Sequence, residues 1–360
     1  MKITDIEIKT IEIKYAMPMT IAFAVDEGGL GVVIRIQTDE GIFGLGEASP
    51  FEPVTGESTE MVIAAIKHFR PALIGMEVTD LEGIHAVMDK LLAYNTSAKC
   101  AIDIALYDII GKAAGLPLYR LLGGSNPVAE SDITIGIDPP EKMAQLAKEY
   151  VKRGFRILKI KTGINPDEDI EAIRMIREAV GPDIRLRIDA NQGYDLCTAY
   201  RVLEELKKLG VESAEQPLPH WDIDGMAELR KQVHGIEIMA DESVHGIYDA
   251  HRVIRAGAAD VINIKLMKSG GIYPALKICA AAEAAGIPCM LGCMDDMKIA
   301  ITAALSLFAA RRNIREADLD SFHFCVDPEL GMKGGFTYEG GLYTLTDRPG
   351  LGIEFDFDAI

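Results

Sequence analysis

The feature that most constrains the fold is a spacing. From about Ser131 onward short apolar runs recur: "ITIGI", "RILKIK", "IRLRIDA", "VESAEQP", "IEIMADE", "DVINIKL", "IPCMLG" and "IREADLD". From the second run on, the last strand-like residues are Lys161, Asp189, Glu215, Asp241, Lys265, Leu291 and Asp318, with gaps of 28, 26, 26, 24, 26 and 27 residues. Parallel strands need a crossover connection, and a strand with its crossover helix occupies about 30 residues. The spacers read as helices. "PDEDIEAIRMIREAVG" has acids in its first turn, an apolar stripe of Ile170, Ile173, Met175 and Ile176, and Gly181 past its end. The pattern predicts an α/β fold, a TIM-like (β/α)7–8 barrel.

The chain before this repeat reads differently. "DIEIKTIEI" and "GLGVVIRIQTDEGIFGLGEAS" alternate like an antiparallel meander with its turn at Asp39-Glu40-Gly41, and three helical patterns follow. We expect an α+β capping domain over residues 1–125, a catalytic barrel over 126–322, and a C-terminal segment, 323–360, that packs back on the capping domain.

Composition narrows the function classes. The net charge is −18, from 55 acids against 37 bases, which excludes a nucleic-acid partner in want of a basic face. No stretch of about 18 uncharged apolar residues is present, and the N-terminus lacks a signal-peptide core, so no membrane partner and a cytoplasmic location are expected. The six cysteines have no zinc-type spacing and read as reduced, packed thiols.

Barrel strands are covered on both faces, so charged residues belong at their wet ends, and the C-terminal rim is where barrel enzymes keep their chemistry. In "FRILKIKTG" Lys159 and Lys161 lie two apart and share one face of the second barrel strand. Asp189, Glu215 and Asp241 end three successive strands. Three carboxylates on one rim repel one another unless a cation sits among them, and an oxygen-only donor set suits Mg²⁺ or Mn²⁺. Lys265 ends strand six, across the barrel from Lys161. Asp318 and Asp320 follow at strand eight.

These residues, with "SAKCAIDIALYDIIGKAAGLPLYRLLGG", "LKIKTG", "RIDANQGYD", "MADES", "INIKLMKSGGI" and "DLDS", resemble the muconate-lactonizing-enzyme-like branch of the enolase superfamily. The dipeptide epimerases of the L-Ala-D/L-Glu type are the nearest pattern within it. The resemblance implies one Mg²⁺ on Asp189, Glu215 and Asp241, with Lys161 and Lys265 as the two acid/bases. It implies that Lys159 stays charged beside a bound carboxylate and that Asp318 and Asp320 hold a dipeptide's ammonium group. Loops near residues 18–26 and 50–56 would cap the site, and a homo-oligomer is implied. The chemistry is consistent. Removing a proton alpha to a carboxylate needs concentrated positive charge, and two opposed bases point to inversion. Nearby cations are expected to keep a lysine base neutral.

In specificity the chain departs from that pattern. Ala24 stands where Ala-Glu epimerases carry an arginine, Asp295 occupies the variable position after strand seven, and Asp296 stands where glutamate is usual. Asp295 and Glu52 add negative charge near the second residue's side chain, so a cationic or hydrophobic second residue is expected. The alternatives are a cycloisomerase, o-succinylbenzoate synthase or N-acylamino acid racemase of the same branch, or a Schiff-base lyase using a rim lysine.

Overall fold

The computed structural model describes residues 1–359. Eight parallel strands form one curved sheet in sequential order. They are Ile133–Ile135, Ile157–Lys161, Arg185–Asp189, Val211–Glu215, Glu237–Ala240, Val261–Lys265, Cys289–Gly292 and Ile314–Asp318, counted below as barrel strands one to eight. Strands one and eight meet through a parallel bridge between Ser131 and Ala317, so the barrel is nearly closed. The predicted crossovers are helices: the segment read as one above is the helix Pro166–Val180, capped by the Asn165 side chain, with Asp167, Glu168 and Asp169 in its first turn.

The capping part opens with a three-stranded antiparallel sheet, Ile3–Ile21, Ala24–Thr38 and Phe43–Ala48. The first two strands pair as far as Ile21 with Ala24, so residues 18–26, expected as a loop, are the tip of a long hairpin. Helices Thr59–Leu73, Leu81–Leu91 and Thr96–Ala114 follow. The last of these is buried along nearly its whole length, which explains its apolar composition on all sides. It packs on strand Phe43–Ala48 at glycines: a Cβ at Gly46 would overlap the backbone carbonyl of Ala101.

Two buried carboxylates of the capping part bind it to barrel helices by filling orphan N–H groups. Glu47 accepts from the backbone N–H groups of Met297 (2.5 Å), Ile299 (3.2 Å) and Ala300 (3.1 Å), at the start of the helix Lys298–Ala310. Asp103 accepts from Ile272 N (2.5 Å) at the start of the helix Ile272–Ala284, and His85 Nε2 lies 2.7 Å away on its other side. The C-terminal segment contacts both parts. Leu342–Leu345 pairs with Val128–Glu130 beside the barrel, Gly350 O accepts from Leu118 N (2.8 Å), and Asp358 pairs with Arg35 (3.0 Å). Among the described residues no helix is long and apolar enough to cross a membrane.

The close approach at Gly46 makes a stability prediction. Gly46→Ala should cost about 1–3 kcal/mol in chemical denaturation, as expected for an overpacked contact; an unchanged midpoint would contradict the packing described.

Candidate functional site

The C-terminal ends of the strands build one cleft. Asp189 ends strand three, and its Oδ1 accepts from Asn191 N (2.9 Å) as the chain turns away at Asn191 and Gln192, both with positive φ. Glu215 ends strand four. Gln216 follows at φ +36, and its side-chain oxygen accepts from Asp241 N (2.9 Å) and Ser243 N (3.1 Å). That amide pins Asp241, which the structure places one residue beyond strand five rather than at its last residue. Lys265 ends strand six, and Gly292 at the end of strand seven leaves it room: a Cβ there would come within 3.0 Å of Lys265 Cε.

The residues singled out on the rim come together. Lys159 is buried, with its Nζ 3.0 Å from Asp189, 2.9 Å from Glu215 and 2.7 Å from Asp318. Lys161 pairs with Asp189 (2.7 Å) and Lys265 with Asp241 (2.9 Å). All three lysines line the cleft with Asp241, Asp318 and Asp320. Asp320 has left the strand and accepts from Thr134 N (2.6 Å).

The charge balance fits a cation. Asp189, Glu215 and Asp241 are buried, with no Cys or His among them. Burial, and then Asp189, push the Glu215 carboxyl up to about 7. Burial, and then Asp241, push neighbouring Glu242 up to about 8. Despite their burial, lysines hold Asp189 and Asp241 below the usual carboxylate range, so the shortfall of positive charge falls on Glu215 and Glu242. Glu242 Oε2 and Asn191 Oδ1, both on residues lining the cleft, are buried without a hydrogen bond, while Asp241 Oδ2 has only its ion pair with Lys265. The donor set therefore suits a hard divalent ion. Among the described residues, the carboxylates whose ligand oxygens all lie within 4.8 Å of one another are instead Asp132, Asp318 and Asp320, but the cationic side chains of Arg187 and Lys159 already hold two of them.

Carboxylates set the charge state of Lys265 and Lys159. Burial would lower Lys265, but Asp241 and Glu215 outweigh it and push the ammonium up. Lys159 is likewise pushed up: Asp189, Asp318 and Glu215 outweigh its burial. The nearest charges to both lysines are carboxylates, not cations.

At the outer end, Asp295 lines the cleft, accepts from Tyr15 Oη (2.5 Å), and is pushed up to about 8 by burial and then by Asp26. Glu52, in a one-turn helix, does not line the cleft; it lines an adjoining cavity that shares Asp26, Phe51 and Asp295 with it. Ala24 begins the second hairpin strand and does not line the cleft, whereas its neighbours Phe23 and Asp26 do. Asp296 is buried and also stands off the cleft. Sequence reading passed over several supporting residues. Asn263 donates to Glu215 Oε1 (2.7 Å), Asn191 to Glu242 Oε1 (3.2 Å), and the buried Lys268 ammonium binds Asp241 and the Val244 carbonyl. Their signal was present: each is a polar residue in or beside a strand that had to be apolar.

If the three carboxylates hold a divalent ion, Mn²⁺ titration followed by electron paramagnetic resonance should give one site per chain. Glu215→Gln should weaken that site by about 10–100-fold or more, and unchanged affinity would contradict the assignment.

Comparison with known proteins agrees with this geometry. Residues 4–123 match the mandelate racemase / muconate lactonizing enzyme N-terminal domain, and residues 142–359 match the enolase C-terminal domain-like family. The chain is 44% identical to an L-Ala-D/L-Glu epimerase of Clostridium acetobutylicum, over 98% of this chain and 99% of that one. It is also 44% identical to a hydrophobic dipeptide epimerase of Enterococcus faecalis, with the same coverage. The crystal structure of a dipeptide epimerase from Enterococcus faecalis V583, complexed with Mg and the dipeptide L-Leu-L-Tyr, superposes with a TM-score of 0.95 over 98% of this chain and 100% of that one, at 44% identity. With both halves of its fold matched in this way, the chain belongs to the enolase superfamily, in its mandelate racemase and muconate lactonizing enzyme branch.

Proposed function

We propose that the chain is a Mg²⁺-dependent dipeptide epimerase that inverts the alpha carbon of the C-terminal residue. One observation carries this reading: Lys161 and Lys265 reach the same cleft from strands two and six, on opposite sides of the barrel. A substrate lying between them meets a base on each face.

Asp189, Glu215 and Asp241 would hold the metal. When bound, Mg²⁺ supplies positive charge that makes the alpha proton of a carboxylate easier to remove. The chain's own residues do the rest. Lys159, charged and buried, lies between the metal-holding carboxylates and Asp318, and would stabilise the enediolate where its negative charge develops. One of Lys161 and Lys265 takes the alpha proton, and the other delivers a proton to the opposite face. Asp318 and Asp320 hold the ammonium group at the other end. The resemblance to dipeptide epimerases supports a homo-oligomeric assembly.

The wall facing the second residue's side chain favours a large apolar group. Met19, Ile21, Phe23, Phe51, Val54 and Phe324 line it, with no cation among them to pair an acidic side chain. A second reading, a cationic side chain, is favoured by Asp26 in the same wall, beside Asp295, whose carboxyl is pushed up to about 8 and would give up its proton to pair with the cation.

Lys161→Ala and Lys265→Ala should each lower epimerisation by about 10²–10⁴-fold or more. Each should still exchange the alpha proton of one stereoisomer in D₂O through the lysine that remains. Near wild-type epimerisation by either variant would rule out two bases. For specificity, kcat/KM should be highest for L-Ala-L-Leu, lower for L-Ala-L-Lys and lowest for L-Ala-L-Glu. Asp295→Asn should reduce only the Lys substrate; a Glu preference would refute the assignment of the wall.

A further inference from the structure

Behind Asp318 and Asp320 lies a third carboxylate. Asp132 sits at the seam where strands one and eight meet: its N–H donates to Ala317 O (3.3 Å), and the hydroxyl of adjacent Ser131 accepts from Leu319 N (2.8 Å). Asp132, Asp318 and Asp320 are all buried and bring three carboxylate oxygens within 4.8 Å of one another. Three anions this close and away from water repel strongly unless positive groups face them.

The groups available do not balance them. Asp132 Oδ2 accepts from Arg187 (3.0 Å), Asp318 Oδ2 from Lys159 (2.7 Å), and Asp320 Oδ2 from the neutral Thr134 N–H (2.6 Å). Arg187 is shared with Glu316, and Lys159 with Asp189 and Glu215. Asp132 Oδ1 is buried with no hydrogen-bond partner. Burial, and then Asp318, push the Asp132 carboxyl well above the usual range, and the same two causes push Asp320 up to about 6. The other titratable groups nearby, Cys293, Tyr150 and Tyr343, are all pushed up by burial and stay protonated. Lys159 outweighs burial and holds Asp318 below the usual range, so the shortfall of positive charge falls on Asp132 and Asp320. Each carboxylate already spends one oxygen on a donor, which suits a single monovalent cation better than a divalent ion with its demand for many oxygen ligands.

We infer that Asp132 is a positioning residue for the ammonium seat: it places a third negative group behind Asp318 and Asp320, so that the seat accepts a free amine and disfavours an acylated one. This rests on the dipeptide reading above. Asp132 acts through its two neighbours and does not itself line the cleft. In the free protein a proton lodged among the three carboxylates relieves their repulsion, and an arriving ammonium group displaces it.

The test uses the Mg²⁺-loaded protein at about pH 6.5, where an α-amine with a pKa of about 8 is charged. The probes are L-alanyl-α-aminoisobutyrate, whose C-terminal residue has no α proton to lose, and its N-acetyl derivative. Calorimetry should show that Asp132→Asn weakens the free amine about tenfold or more while leaving the acetylated ligand nearly unchanged. In wild type, buffers of different ionisation heat should reveal proton release with the free amine and none with the acetylated ligand. This second measurement decides the matter if the variant does not fold. Equal weakening of both ligands, no weakening, equal proton release, or a second Mg²⁺ lost with Asp132 would each overturn the inference. Exchange of the α proton of L-Ala-L-Leu by wild type separates the two levels. Exchange without ligand discrimination refutes the role of Asp132 alone, whereas no exchange and no binding refute the dipeptide reading and this inference with it.

Discussion

The arrangement turns on one buried ammonium group. Lys159 lies inside the barrel mouth and touches carboxylates from strands three, four and eight. Burial alone would drive it neutral, and each carboxylate alone would be driven to take up a proton. Held together, Lys159, Asp189 and Asp318 stay charged, and Glu215 is left as the carboxyl pushed up to about 7. Removing a single partner from such a buried network leaves uncompensated charge, at a cost of about 3–5 kcal/mol. The same lysine therefore fixes the positions of Asp189, Glu215 and Asp318 and keeps positive charge where a substrate carboxylate would arrive.

The cleft exists because the capping part is bolted to the barrel at the elements that shape it. Asp103 caps the helix that follows the Lys265 strand, and Glu47 caps the one that follows strand seven. Tyr15 from the long hairpin donates to Asp295 of the strand-seven segment. A change in how the two parts dock would shift Lys265 and Asp295 together.

Much of this was legible in the sequence because the barrel imposes a rule. Its strands must be apolar, so Lys159, Lys161, Asp189, Glu215, Lys265 and Asp318 stand out as charges where none belong except at the wet rim. The crossover helix sets the period, so the order of the strands follows from spacing. What stayed hidden depends on approach across the chain. Asp241 lies one residue beyond its strand because the Gln216 side chain draws it there. The hairpin carries Phe23 and Asp26 into the cleft and leaves Ala24 out of it, a matter of where its tip turns. Asp132 reads as an ordinary polar residue before a strand, and only closure of the barrel at its seam brings it against Asp318 and Asp320. In the same way, nothing in the sequence around Glu47 or Asp103 says that each fills the N-terminus of a helix some 170 residues or more away.

On the two-base proposal, a carbon lying between Lys161 and Lys265 loses its proton to one lysine and regains a proton from the other. The most direct measurement is proton NMR of an L,L-dipeptide such as L-Ala-L-Leu with the Mg²⁺-loaded protein in D₂O. The α-proton signal of the C-terminal residue should disappear while the L,D isomer accumulates with deuterium at that carbon, and the N-terminal α proton should be untouched. Retention of the C-terminal α proton in every dipeptide tried, or its exchange at the N-terminal residue instead, would contradict the proposal.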